Sequence, residues 1–316
     1  MTPRRAVAAL VAATVLAGSS ACSGPGAGTP AGARAGVVTG AVRPAVTTPA
    51  AAPPAPAATA LGVTVTGAAG RRPQVEVPAG AAVPADRRVA VLSRGTGTAI
   101  RAGDLLVTAY QVQPWGSGGT APATVDSTWA RGVPAIAVAG RATVVAPWGD
   151  LLAGRRVGAR LLVVQPATGQ QPAAAVVLDL LRVVPRAAPG GHVVRGRSAR
   201  GFPRVAGAPG AVPAVSGLGA VATPSRPRSR LLVAGDGPRL ATGRTYVVQL
   251  VEVDLSSGRT VNSTWRGLPL LLPAEGVLDR VAALRGATVG SRAVAVLPGA
   301  GTTPARVLVL DVVAQV

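Results

Sequence analysis

This sequence contains no lysine. All 32 of its basic residues are arginine, set against 12 acidic residues for a net charge of +20. It has one cysteine, Cys22, which excludes an internal disulfide. One histidine and one cysteine suit chemistry that requires no nucleophile and no metal. Asp104, Asp126, Asp150 and Asp179 are not spaced as metal ligands, and Gly95-x-Gly97 lacks a phosphate-loop context and reads as a turn. No metal and no cofactor is expected. Aromatic residues make up 2% of the chain, so any ligand platform rests on very few rings. What is abundant is Ala, Val, Gly, Pro and Arg, the residues that GC-rich codons favour. The functional alternative is an arginine surface that seeks nucleic acid or anionic lipid. The arginines are scattered rather than clustered with aromatics, which speaks against nucleic acid.

The N-terminus carries Arg4-Arg5 and then an apolar run from Ala6 to Gly18. A basic start before a short apolar stretch is a secretion signal. The run is shorter than the ~20 residues that a membrane span needs. Ser19-Ser20-Ala21-Cys22 follows and resembles a lipobox, with Ser19 where Leu is usual. Residues 1–21 are therefore expected to be a signal peptide. Cys22 is expected to be lipidated, giving an extracytoplasmic protein anchored to the cell membrane. Ordinary cleavage after Ala21 is the alternative and frees the same N-terminus.

Residues 22–60 are Ala, Pro, Gly and Thr with almost no large apolar side chain, as in a disordered tether. Val63–Thr66 and Gln74–Val77 alternate apolar and polar residues, as strands do, and further strands are predicted at Arg88–Leu92, Asp104–Tyr110, Ala159–Val164 and Ala175–Leu181. Pro147–Leu152 predicts one short helix, with Pro at its start and Gly154 placed to stop it. Residues 187–200 read as a linker.

The chain repeats itself. Shifted by 132 residues, Val144–Val184 lies over Gly276–Val316 without a gap, with fifteen identities in forty-one columns. Gly154, Val157-Gly158, Arg160, Pro166 and Leu178-Asp179 recur as Gly286, Val289-Gly290, Arg292, Pro298 and Leu310-Asp311. Upstream, Ser127-Thr128-Trp129 recurs as Ser263-Thr264-Trp265. Two tandem copies are expected, at residues 61–186 and 201–316.

The first copy carries an ordered set of elements. Gly95-x-Gly97, Gly103-Asp104 and a strand ending at Tyr110 come first. Val125-Asp126-Ser127-Thr128-Trp129 and Arg131-Gly132-x-Pro134 follow. Then come Val144-Val145, Trp148, Gly154-x-x-Val157-Gly158, Pro166 and Val177-Leu178-Asp179. This set resembles the FKBP-type peptidyl-prolyl cis-trans isomerases. The resemblance implies an α+β fold of two tandem FKBP-like domains, each an antiparallel sheet wrapped around one short helix. It implies a pocket with Trp148 as floor, Val144 and Val145 as wall, and Tyr110, Asp126 and Arg131 at the rim. Tyr110, Asp126 and Trp148 would be the catalytic set, and Val125, Arg131, Val144, Val145 and Leu178 the substrate pocket. Val125, Ala135 and Leu178 depart from the family by replacing Phe. The loop Ala167–Pro172 is short and lacks the family's Tyr. Read without the resemblance, Trp148 and Tyr110 are equally core residues, and Asp126 with Arg131 an ordinary ion pair.

The second copy has Leu250, Asn262 and Arg280 where the first has Tyr110, Asp126 and Trp148. A buried unpaired charge at a pocket floor is costly, so the second copy is expected to be inactive.

The implied chemistry needs no nucleophile. Rotation about a peptide bond faces a barrier of roughly 18–20 kcal/mol. An apolar dish that binds the twisted, less polar amide better than the planar one lowers that barrier. The expected function is prolyl isomerisation of proline-containing exported polypeptides, weakened by the lost aromatics. The alternative is a non-catalytic FKBP-fold chaperone or binding module of the cell envelope. A third reading is a structural lipoprotein whose basic surface touches anionic lipid. Partners would be those polypeptides and, through lipid, the membrane, with no nucleic acid. The sequence leaves the oligomeric state open.

Overall fold

Leu161-Leu162-Val163-Val164 and Ala173–Leu178 are unbroken apolar runs, the pattern of strands buried on both faces. The structure bears this out. It is a computed structural model and describes residues 57–115, 126–143, 146–169, 171–194, 200–208 and 210–316. The first repeat holds β1 (Ala57–Ala60), β2 (Val63–Thr66), β3 (Gln74–Glu76), β4 (Arg88–Arg94) and β5 (Leu105–Pro114). Then come β6 (Asp126–Ser127), helix α1 (Thr128–Arg131), β7 (Ala135–Val138), β8 (Ala159–Gln165) and β9 (Ala174–Val184). β10 (Gly191–Val193) lies in the stretch read as linker. The second repeat holds β11 (Arg204–Ala206), β12 (Ala214–Ser216), β13 (Arg228–Gly235), β14 (Thr245–Asp254), β15 (Thr260–Ser263) and β16 (Leu270–Pro273). Helix α2 (Ala274–Arg280), β17 (Arg292–Leu297) and β18 (Arg306–Gln315) complete it.

The main sheets have one topology. The first runs β4-β8-β9-β5-β6 and the second β13-β17-β18-β14-β15, with β10 added outside β13. β7 and β16 pair with the other end of β5 and β14. Both copies place a bulge at the same point of the first strand, between Val91 and Ser93 and between Leu231 and Val233.

The expected α+β class is not what the chain adopts. The described residues are mainly β, in a three-stranded, a seven-stranded, a two-stranded and a six-stranded sheet. Among the described residues the only α-helices are α1 and α2, of four and seven residues. The helix expected at Pro147–Leu152 is a single 3-10 turn, Gly149–Leu151. Its bonds run three residues back, from Leu151 N–H to Trp148 O and from Leu152 N–H to Gly149 O. Gly154, at φ +78°, turns the chain away before an α-helical turn can propagate. Gly149 is itself required, because a Cβ there would lie 1.9 Å from the Arg141 carbonyl oxygen. α1 arises where the sequence reading saw only a repeated motif. Ser127 Oγ caps it by accepting from Ala130 N–H, and Gly132 at φ +67° ends it. None of the helices is long and apolar enough to cross a membrane, among the described residues.

Each sheet is covered twice. One face of the first sheet packs Leu106, Tyr110, Leu161, Val163, Val176 and Leu178 onto Trp148 and Leu152. The other face packs Leu162, Val164, Ala175 and Val177 under Val63 and Val65 of the N-terminal hairpin. The second repeat does the same, with Val205 and Val215 over Val294, Val296, Val307 and Val309. Each repeat therefore begins earlier than the matched segments suggest. Gly67-Ala68-x-Gly70-x-x-Pro73-x-Val75 recurs at Gly207-Ala208-x-Gly210-x-x-Pro213-x-Val215, a shift of 140 residues.

Arg160 ties that hairpin down. Its Nη1 donates to Gly67 O at 2.6 Å and its Nη2 to Arg71 O at 2.7 Å, while Gly70 N–H donates to Asp179 Oδ2 at 2.6 Å. Arg292 makes the equivalent bonds to Gly207 O and Ala211 O.

The two repeats share a core. Leu105, Val107, Ile136 and Val184 of the first pack with Val247, Val313 and Ala314 of the second. The two sides correspond. Val107 matches Val247 and Leu181 matches Val313. Ile136 and Leu271 are the cross-strand partners of that first pair. Arg182 Nη1 also donates to Gln315 O at 2.8 Å, and Gln249 Nε2 to Arg186 O at 3.0 Å. The interface is thus near-symmetric, made by one patch meeting its own copy.

Candidate functional site

The strand period of two puts Tyr110, Val112 and Pro114 of β5 on one face. Together with Val176 and Ala174 of β9 they wall a cleft of about 330 Å³ over Trp148. That volume is at the small end of ligand-sized clefts. Trp148 is 4% exposed and Tyr110 7%. Their ring centroids are 4.5 Å apart, with the planes tilted by 57°. A tilted aromatic pair at this separation is attractive beyond its buried area. The two rings hold each other in place at the bottom and side of the cleft.

The polar rim is positioned by Thr128. Its Oγ1 accepts from Tyr110 N–H at 2.9 Å and donates to Tyr110 O at 3.2 Å, which clamps α1 to the middle of β5. That clamp sets Asp126 and Arg131, at the two ends of the β6–α1 segment, beside the Tyr110 hydroxyl. Tyr110 Oη donates to Asp126 Oδ2 at 2.7 Å and accepts from Arg131 Nη2 at 3.0 Å. Arg131 Nη1 closes the ring of contacts on Asp126 Oδ1. The guanidinium carbon lies 5.4 Å from the Tyr110 ring centroid, within cation–π range.

Tyr110, Asp126, Arg131 and Trp148 thus come together as one site. Leu178 lies beneath it, directly opposite Tyr110 on β9 and fully buried in the core cluster. The cleft itself is lined one and two steps along β9, by Val176 and Ala174. Val125, Val144, Val145 and Cys22 lie outside the described residues. The sequence reading missed Val112, Pro114, Gln165 and Gln171. The first two share the face of Tyr110 at two-residue spacing, a signal that was available. Gln165 is the last residue of β8, and Gln171 is brought back by the turn that follows, where Thr168 and Gln171 exchange backbone hydrogen bonds at 2.9 and 2.6 Å.

The cleft has an apolar floor and a rim whose charges neutralise each other. Among the described residues, no histidine, cysteine or serine lines it. Trp148 Nε1 is buried with no hydrogen-bond partner among the described residues, which leaves a donor at the floor. The arrangement can hold a compact apolar ring and present fixed dipoles beside it.

The second repeat keeps the clamp without the site. Leu250 N–H donates to Thr264 Oγ1 at 2.8 Å, so the recurring Ser-Thr-Trp is structural. Asn262, in place of Asp126, is exposed on β15. Arg280 was expected at a pocket floor, but it stands exposed at the end of α2. Leu250 packs instead against Val277, Leu278 and Leu284 in a core cluster.

Solved structures similar to this chain include a multi-domain immunophilin from Arabidopsis thaliana. It matches at 12% identity and TM-score 0.26 over 36% of this chain and 46% of its own. The chain thus spans about half the length of that protein. The three FKBP domains of wheat FKBP73 match at 12% identity and TM-score 0.25, over 73% of this chain and 94% of theirs. No protein-family model and no curated protein matches the sequence.

Proposed function

We propose that this protein is an FKBP-type peptidyl-prolyl cis-trans isomerase whose activity resides in the first repeat. The observation that carries this reading is the tilted Tyr110–Trp148 pair under a rim of Asp126 and Arg131. A prolyl ring laid on Trp148 exchanges water for an apolar floor. In the twisted transition state the amide has lost conjugation and its carbonyl is less polar, so the cleft favours it over the planar amide. Asp126, Tyr110 and Arg131 act as fixed dipoles beside the rotating bond. They need transfer no proton.

Among the described residues only two aromatic rings line the cleft, Tyr110 and Trp148, and this favours a second reading, a non-catalytic module that binds proline-containing segments. A cis/trans assay with a short proline peptide separates the two. Acceleration that disappears in Trp148→Ala supports the isomerase. Binding of the peptide without acceleration supports the module.

We further propose that Cys22 is lipidated after removal of residues 1–21, so that the protein meets exported polypeptides at the outer face of the membrane. A solitary cysteine after a signal-like apolar run motivates this. The intact mass of the native protein tests it: a chain beginning at Cys22 with no acyl mass ends the proposal.

A further inference from the structure

The cleft over Trp148 does not end at β8. Gln165, the last residue of β8, and Pro147 line it, and the same two residues line a second depression of about 230 Å³. The remaining walls of that depression are Arg87, Pro166 and Thr168. These walls are held in place. Arg87 donates to both carboxylate oxygens of Asp150, at 3.0 and 3.1 Å, and to Pro147 O at 3.4 Å. Thr168 is fixed by its backbone exchange with Gln171. Asp150 compensates the charge of Arg87, so the second depression offers a neutral polar and proline-rich surface. The Gln165 side-chain amide, at the divide, has no hydrogen-bond partner among the described residues. An amide offers both a donor and an acceptor, the pair that an extended peptide backbone presents in return.

We infer that the two depressions form one groove for an extended polypeptide. The prolyl ring occupies the Trp148 floor, an adjacent residue enters the Arg87–Thr168 depression, and Gln165 bonds the backbone between them as a specificity-determining residue. The inference rests on the prolyl-binding reading of the first cleft. It names the substrate class more narrowly, as unfolded segments in strand-like conformation rather than prolines in tight turns.

The test uses the full protein and two blocked peptides, a proline tetrapeptide and a decapeptide extending it on both sides with Ala and Ser. Each is measured for kcat/KM by cis/trans assay and for Kd by calorimetry. The decapeptide is expected to exceed the tetrapeptide by about threefold to tenfold, the worth of a hydrogen bond. The ratio falls to about one in Gln165→Ala and in Arg87→Met, each first checked for an unchanged thermal midpoint. Equal values for the two peptides in the wild type overturn the groove, as does a length advantage that survives both substitutions. A protein without catalysis on either peptide fails as an isomerase, and the Kd ratio still decides the groove.

Discussion

Arg160 and Asp179 face each other across β8 and β9 and close through two bonds, Nε to Oδ1 at 2.6 Å and Nη2 to Oδ2 at 2.8 Å. Their side chains are 3% and 1% exposed. Arg292 and Asp311 repeat the same pair at the same two distances. In each copy the arginine also holds the carbonyls of the N-terminal hairpin. The pair that recurs in the sequence is therefore the joint between sheet and hairpin rather than part of the cleft.

Asp179→Ala leaves a buried guanidinium without its counter-charge. A loss of about 3–5 kcal/mol is expected, measured by urea unfolding. Arg160→Met with Asp179→Leu recovers much of that loss, because no charge is stranded. The hairpin then lacks its anchor, so amide exchange at Gly70 and across Val63–Glu76 speeds up in the double variant. Unchanged exchange there contradicts the tie.

Trp148→Ala removes the floor, and activity should vanish with it. The cavity also costs about 3–5 kcal/mol, so unfolding must be measured alongside. Trp148→Phe keeps an apolar ring and is expected to retain the fold and part of the activity. Activity of Trp148→Ala equal to wild type, in folded protein, removes the floor from the mechanism.

Asp254 supports the turn between β14 and β15. Its Oδ1 accepts from Ser256 Oγ at 2.6 Å and from Ser256 and Ser257 N–H at 2.9 Å. The Ser256 hydroxyl, then the backbone donors, pull its carboxyl down to about 2. A depressed acid stabilises the fold above its unfolded pKa of about 4. That contribution is lost as pH falls from about 4 through about 2. Asp254→Asn should flatten this limb of a urea-midpoint titration between pH 6 and pH 2. An identical acid limb in the variant speaks against the assignment.

The shared cluster of Val107, Val184, Val247 and Val313 couples the repeats. A single calorimetric transition is expected for the two repeats together. Val247→Asp buries an unpaired charge in the shared core and should split that transition in two. Two transitions in the wild type would show that the repeats unfold separately.

Much of the site was legible because each part sits in a motif of fixed spacing. Tyr110 lies on a recognisable strand, Asp126 and Arg131 flank Ser127-Thr128-Trp129, and Trp148 follows Pro147. The hairpin repeat was missed because it lies outside the densest identities and is carried by glycines and one proline. The short helix was misread because Pro147 and Gly154 bracket a stretch that looks helical locally. The carbonyl of Arg141 is pressed against Gly149 from outside that stretch, so the contact depends on how the preceding loop folds back.

The sequence by itself determined that there are two copies, where several strands of the first lie, and that only the first carries the tyrosine, aspartate and tryptophan of the candidate site. These follow from side-chain period and residue identity, which are local. Tertiary structure decided the rest. It closed Arg160 on Asp179, tied the hairpin over the outer face, turned Arg280 out to solvent and joined the repeats through one core. These outcomes depend on which surfaces meet once the sheets have formed. No short window of sequence records that, because the partners of these contacts lie nineteen or more residues apart.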